Sequence, residues 1–576
     1  MRVMRTPHRR FRAGAVLVAA ALALAGCTSS GSQTSEPESS ASASAALAKL
    51  PAVGWTAAAR DKVKDGGTLR LPVDSLPANW NLLQADSGTV DDQLVDSTFL
   101  PSFVKFDEKG QWSADPDYAT KVELVSQDPQ IVEITINPKA VWSDGTPITA
   151  ADVAANWKAL NGVDPAFAPT TTNVWQDVSA VDQGATPQDV KITFAKVNVD
   201  WPSILRGLYP AWAYSSPDAF NKAWASGPFA PDGKTYVSGG PFILQTFDAN
   251  GGTATFTRNP KWWGDAPKLE QLVFKTVSRD AVGQAFANGE IDAFNLNGSA
   301  DNLKTVESKQ GAVVQRSLGP TFRHVTLNGK SEVFSNALVR QAFATALDRK
   351  TLAAAILGQV GSPVQTLGNL IFVPGQQGYV DQASNLTGDP AAAKKLLEQA
   401  GATFDGDKAS LNGKPLNVRF VIPSNNTNSA NIATLVQQQT AAAGFTVTID
   451  SVPSADFFVK YVDTENRNFD ATYFAWQGTP FPISSTESIY YPADSGQNFP
   501  GITDDSLGAD WAAANAEFDP AKRIEMANNI DKKLIALYST IPLFAEPYAW
   551  GAVGNLANYG PSLFESTTWQ DVGFTS

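Results

Sequence analysis

A single cysteine sets the terms on which this chain can fold. Cys27 is the only one among 576 residues, so no internal disulfide can form and each domain needs a core of its own. It ends a segment of distinct character. Arg2, Arg5, Arg9, Arg10 and Arg12 give a positive start, and Ala13 to Ala25 give an unbroken apolar run. That run is too short to cross a hydrocarbon core of roughly 30 Å as a helix, and it has the layout of a secretory signal peptide.

The segment closes on Leu24-Ala25-Gly26-Cys27, which resembles a bacterial lipobox. The resemblance implies removal of residues 1–26 and lipidation of the Cys27 thiol, which would otherwise be a liability in an exported chain. From Thr28 to Lys49 the composition is Ser, Ala, Glu and Gln with almost nothing to bury. Residues 27–60 therefore read as a lipidated cysteine and a flexible tether, with a reach of roughly 30 Å. No later run approaches the roughly 18 apolar residues of a membrane helix. The remainder reads as a soluble body held extracytoplasmically at the cell membrane.

That body is too long for one core, and its length predicts two to four domains. The net charge is −13, and removing a leader with five arginines makes the rest more acidic still. Phosphate backbones would repel it, so nucleic acid is not expected as a partner. The histidines are His8 and His324. One body histidine is a poor basis for zinc, and no metal or other cofactor is expected. A Ser-His-Asp mechanism would rest wholly on His324, in the strand-like FRHVTLNG, and G-x-S-x-G is absent. Gly233-Lys234-Thr235 and Gly329-Lys330-Ser331 lack the upstream glycine of a phosphate loop and read as turns. The chain is not expected to be an enzyme.

Local patterns along the body are clear. Gly66-Gly67 leads into a first strand, and KVELVSQDPQIVEITINP reads as two β runs joined at Asp-Pro. In AVWSDGTPITAADVAANWKAL, Thr149 with Asp152 forms a capping box. Val153, Trp157 and Leu160 then share a helical face. Asp389-Pro390 and Asp519-Pro520 each read as an N-cap followed by proline at the first helical position. The Asp-Gly-Asp cluster in Phe404–Asn412 fails EF-hand spacing and is better read as a hairpin or turn.

VWSDGTPITAADVAANW resembles the signature of the extracellular solute-binding proteins of family 5, the peptide-type binding proteins of ABC importers. Further blocks agree in order: GGPFILQTFDANGGTATFTRNPKWWGDAP, QAFANGEIDAF, FSNALVRQAFATALDRKTL, GDPAAAKKLLEQAG and DPAKRIEMANNIDKKLIALYSTIPLF. The resemblance spans roughly residues 66–560. It implies an α/β, two-lobed periplasmic-binding-protein-like fold (type II, cluster C) with an extra inserted domain. By motif order, lobe I would be 61–105, 237–322 and 545–576, the inserted domain 106–236, and lobe II 323–544. It also implies a monomer that traps a peptide or peptide-like ligand and delivers it to ABC permease subunits. A different role on the same fold, in glycolipid assembly or its regulation at the envelope, is the alternative.

The segment FDATYFAWQGTPFPISSTESIYY, residues 469–491, carries the ligand expectation. From Ala471 to Trp476 it is aromatic-rich and uncharged and reads as a buried strand, and Gly478, Pro480 and Pro482 then break both ladder and helix. In peptide-binding members of the family an Asp three residues after a Trp pairs with the peptide ammonium. Here Trp476 is followed at that spacing by Thr479. A buried ammonium without a carboxylate would be costly. Either another acid serves, with Glu487 a candidate by proximity, or the ligand's amine is blocked or absent, or the ligand is not a peptide. By family position the ligand-facing residues would be Trp476, Gln477 and Thr479, opposed by Asn79, Trp80, Asn81, Gly240 and Pro241. Asn328 would lie at the hinge or cleft.

Overall fold

The computed structural model describes residues 47, 49–85 and 87–575. The expected signal peptide, the expected lipidation site at Cys27 and most of the expected tether lie outside the described residues. Inside them, the stretch expected to run on as tether to residue 60 is docked. Leu318 N–H donates to Pro51 O, Val53 bridges Ser562, and Gly54 N–H donates to Pro561 O. Asn558 clasps Ala58 through both its N–H and its C=O, and Arg60 reaches Asp571 and Gln570. Beyond Pro51, the backbone of residues 52–64 makes its long-range bonds to 558–574, so it is ordered despite a composition poor in large apolar residues.

Two large cores follow. The first is shared by two four-stranded sheets. One runs Thr68–Val73, Gln271–Thr276, Thr253–Arg258, Phe242–Asp248; the other runs Ala119–Gln127, Gln130–Ile136, Asp189–Phe194, Val178–Gln183. In Gln130–Ile136 every second residue is buried, the period-2 pattern of a strand with one face on a core. The second core surrounds a five-stranded sheet in the order Thr446–Val452, Asn417–Pro423, Ala471–Gln477, Thr321–Leu327, Thr540–Ala545. Helices Ala337–Ala346, Arg349–Leu357, Thr427–Ala441 and Pro520–Leu537 contribute to this core. A smaller body comprises Ala293–Asn295, Tyr548–Val553 and Ala312–Ser317, with helices Val282–Ala287 and Ala300–Ser308.

The chain passes between the small body and the five-stranded sheet twice, side by side. Ala312–Ser317 continues into Thr321–Leu327, and Thr540–Ala545 continues into Tyr548–Val553. The crossings touch: Glu546 N–H donates to Thr321 O. A Cβ on Gly319 would lie 2.3 Å from Glu546 O, so only glycine lets the two connections run so close. A paired strand crossing is a natural place for a hinge.

The local patterns hold. Thr149 and Asp152 close a capping box on Ala150–Leu160. Asp389 and Asp519 cap helices with proline in the first turn, and Thr403–Asp405 pairs with Lys408–Leu411 as a hairpin. One expectation fails. The segment after Trp476 is not wholly a proline-broken loop, because Pro482–Tyr490 is an α-helix. Pro482 stands at its start, where a missing N–H costs nothing. Glu487 is therefore on a half-buried helix, where it accepts a bond from Asn515 Nδ2 at 2.8 Å.

Candidate functional site

The Ala471–Gln477 strand has two unlike faces. It pairs antiparallel with Thr321–Leu327, Val325 opposite Tyr473 and Arg323 opposite Ala475, so these four share a face. On the other face Trp476 stacks on Phe499 with ring centres 5.7 Å apart, while His324 lies edge-on to Phe474 at 4.4 Å. His324 is fully buried, with Nδ1 3.1 Å from Thr326 Oγ1. Burial, then the Arg323 charge, pushes its pKa down to about 3, so the ring is neutral.

The Tyr473 face opens on a cavity of about 460 Å³. Its floor holds donors. Tyr473 is 2% exposed, and its hydroxyl has no hydrogen-bond partner among the described residues. Burial pushes its pKa up to about 12, so it stays protonated. Arg323 lies with its guanidinium carbon 5.9 Å from the Tyr473 ring centre. It gives Nε to Glu546 Oε2 at 2.7 Å, leaving both Nη groups for another partner.

Two helix starts form the walls. Ser299 caps Ala300–Ser308 by accepting from Asn302 N–H, and Asn426 caps Thr427–Ala441 by accepting from Ser429 N–H. Both turns line the cavity, and each helix start adds unpaired backbone N–H groups. The walls meet where Asn428 Nδ2 donates to Asn297 O. A Cβ on Gly298 would sit 2.6 Å from Ile356 Cγ2, so the bodies are in van der Waals contact there. Acids occupy the exposed rim as Asp280 and Asp301, beside an Arg279–Asp74 ion pair at 2.6 Å. The arrangement can hold a small solute through hydrogen bonds, with acceptor groups favoured at the floor.

The residues expected from sequence fall in several places. Trp476 is on the strand that floors the cavity but on its opposite face. Gln477 is half-buried on the Tyr473 face, opposite Thr321. Thr479 spends its hydroxyl locally, donating to Ser485 Oγ at 2.9 Å and accepting from Phe481 N–H at 3.1 Å. Asn79, Trp80 and Asn81 are inside the first core at 2%, 0% and 3% exposure. Asn79 and Asn81 donate to Asn221 O and Phe220 O, carbonyls in the last turn of Pro217–Lys222. That helix end needs donors, which is why carboxamides stand in this loop. Gly240 is a packing glycine, since a Cβ there would lie 2.7 Å from Phe99 Cα. Pro241 O accepts from Asn259 N–H beside it. Asn328 is buried and ties Phe469 O and Arg467 O to the strand end.

Arg279, Asn297, Arg323, Asn428 and Tyr473 were not anticipated. Their sequence signal is faint: two asparagine-rich turns, FNLNGSAD and PSNNTNSA, each leading into a helix.

The model of the bacterial extracellular solute-binding proteins, family 5 Middle, matches residues 114–498. The oligopeptide-binding protein OppA of Mycobacterium tuberculosis is 32% identical over 532 residues, covering 91% of this chain and 88% of its own length. The probable monoacyl phosphatidylinositol tetramannoside-binding protein LpqW of the same species is 24% identical over 298 residues, covering 51% of this chain and 45% of its own. Among solved structures, the periplasmic EDTA-binding protein EppA superposes with a TM-score of 0.82 at 24% identity, covering 92% of this chain and 99% of that one. The oligopeptide-binding protein AppA of Bacillus subtilis, in complex with a nonapeptide, gives 0.78 at 17% identity, with 89% and 99% covered. The fold is the two-lobed α/β fold of periplasmic binding proteins, and the chain belongs to the bacterial extracellular solute-binding proteins of family 5.

Proposed function

We propose that the chain is the extracytoplasmic substrate-binding component of an ABC importer, anchored through lipidated Cys27, and that it carries peptides or peptide-like solutes. The observation that carries this reading is the cavity beside the paired strand crossing, floored by Tyr473 and Arg323 and walled by two helix starts. Such a site touches both sides of a hinge, so a bound solute favours the closed state. The near full-length similarity to an oligopeptide-binding protein supports a peptide class. In this reading the lobes keep the boundaries expected from motif order, except that residues 51–60, expected as tether, pack on the first lobe.

The amine end of the ligand is specified by what is missing. Thr479 offers no charge, and Glu487 is committed to Asn515. Asp280 and Asp301 lie on the exposed rim, where an ammonium stays hydrated, so the favoured ligand has a blocked or absent α-ammonium at the floor. Thermal unfolding of the purified chain against free tripeptides, their N-acetylated forms and soluble mannosides tests this. A true ligand at 100 times its Kd adds about 2.7 kcal/mol. Stabilisation by N-acetyl peptides supports the full reading, and stabilisation by free peptides alone removes the blocked-amine element. Response only to mannosides would favour the envelope-glycolipid role, a second reading that the partial similarity to LpqW supports. Silence from all at millimolar concentration would defeat the importer reading.

A further inference from the structure

The first and second cores also meet beyond the far end of the Ala471–Gln477 strand. Phe481, four residues past that strand, belongs to the first core and lies edge-on to Phe106 with ring centres 5.6 Å apart. Ile483, two residues on, belongs to the second core. Beside this crossing stands Asp200, 2% exposed, adjoining the first-core residue Trp201.

Asp200 Oδ2 accepts from Ser484 N–H at 3.2 Å, one of the amides at the start of Pro482–Tyr490 that the helix cannot satisfy itself. Arg523 Nη1 donates to Oδ1 at 2.7 Å, and Nη2 stands 2.7 Å from Oδ2. Arg523 Nε donates to Ala514 O at 3.0 Å, and Val199 N–H donates to Asn515 O. Both carbonyls lie at the end of the Leu507–Ala516 helix. Asn173 adds bonds to Ser484 O and Ser488 Oγ. Residues 199–200 thus supply an acceptor to one helix start and a donor to another helix end, across the boundary between the cores.

We propose that Asp200 is a positioning residue whose clasp on Ser484 and Arg523 holds the cores closed and fixes the 477–481 segment that leads from one core to the other. The inference rests on the reading of the chain as a binder that closes on its solute. In a buried ion pair the mutual attraction offsets much of what desolvation costs the two charges, whereas removing one partner strands the other. The clasp can therefore open as a unit when both charges reach water together, yet it tolerates no half-open state in which one charge stays buried alone. That gives two discrete arrangements, which solute contact on both cores can bias.

The test compares wild type, Asp200→Asn and the double variant Asp200→Asn with Arg523→Gln, all without ligand. Amide exchange of the segment holding Ser484 and small-angle scattering are the readouts. In Asp200→Asn the clasp predicts exchange at residues 482–486 faster by about tenfold or more and a larger radius of gyration. Protection in the Asn417–Pro423 strand should stay unchanged. The double variant removes the lone buried cation, so stability should recover while the expanded state persists. Unchanged scattering and exchange in Asp200→Asn would overturn the proposal. So would a double variant that regains both stability and wild-type dimensions, because that marks a purely structural pair. These readouts need no ligand. If no peptide binds wild type, the importer reading fails while the clasp is still judged.

Discussion

The loop at Asn79–Asn81 and the strand Ala471–Gln477 look alike in sequence. Each sets a tryptophan beside hydrogen-bonding side chains, and both were expected to face ligand. The structure treats them oppositely. In the loop the carboxamides are spent on the end of the Pro217–Lys222 helix, and Trp80 is packed among Phe99, Phe247 and Phe256. In the strand, alternation sends Trp476 into an aromatic stack and Tyr473 into a cavity with its hydroxyl unspent. A tryptophan next to polar residues is therefore no marker of a site. Unspent hydrogen-bonding groups that open on a cavity are the marker, since Trp80 Nε1 is also unpartnered but sealed in the core.

The contrast can be broken most forcefully at Trp80. Trp80→Ala should cost about 3–5 kcal/mol of stability, measured by urea unfolding, with ligand affinity of the folded fraction unchanged. Intact stability with lost binding would return the loop to the cleft. Asn81→Ala should cost about 1–3 kcal/mol, because it strands the Phe220 carbonyl, again without moving affinity.

His324 tests the apolar side of the strand pair. It stays neutral in the fold but protonates near its usual 6.5 when unfolded. Between pH 6.5 and about 3 the unfolded state binds more protons, so stability falls as pH falls, by about 1.4 kcal/mol per unit. His324→Leu should remove one proton's worth of that slope in a pH series of urea midpoints; an unchanged slope would mean that the ring is reached by water. The gentlest change probes the other face. Tyr473→Phe should leave stability within about 0.5 kcal/mol, since its hydroxyl has no partner to lose. Affinity for the ligand should weaken roughly two- to tenfold, one net hydrogen bond. Weakened folding with unchanged affinity would show that the hydroxyl serves the core.

Helices announced by caps were legible. Asp389, Asp519 and Thr149 each begin an element because the cap and the chain after it carry the same instruction within four residues. The helix at Pro482–Tyr490 was not, since Pro480 and Pro482 read as breakers until Pro482 is seen at the one position where proline suits a helix. The site was the least legible. Arg279, Asn297, Arg323, Asn428 and Tyr473 are distant in sequence and ordinary in type. What makes them a site is a two-residue period on one strand and the convergence of two N-caps, and both depend on tertiary placement. The family signature located the fold at once but pointed to Trp476 and Thr479, whose side chains here serve packing and a helix start.

The pairing of residues 52–64 with 558–574 has a mechanical meaning. A pull delivered through the chain N-terminal to Leu47 would reach this seam first, and much of its load would fall on Asn558, Arg60 and the backbone bonds beside them. That line of force also passes the paired crossings, because Pro51 O is held by Leu318 N–H, next to Gly319. With the chain held through Cys27 as proposed, tension would thus be felt at the crossing about which the two cores are joined.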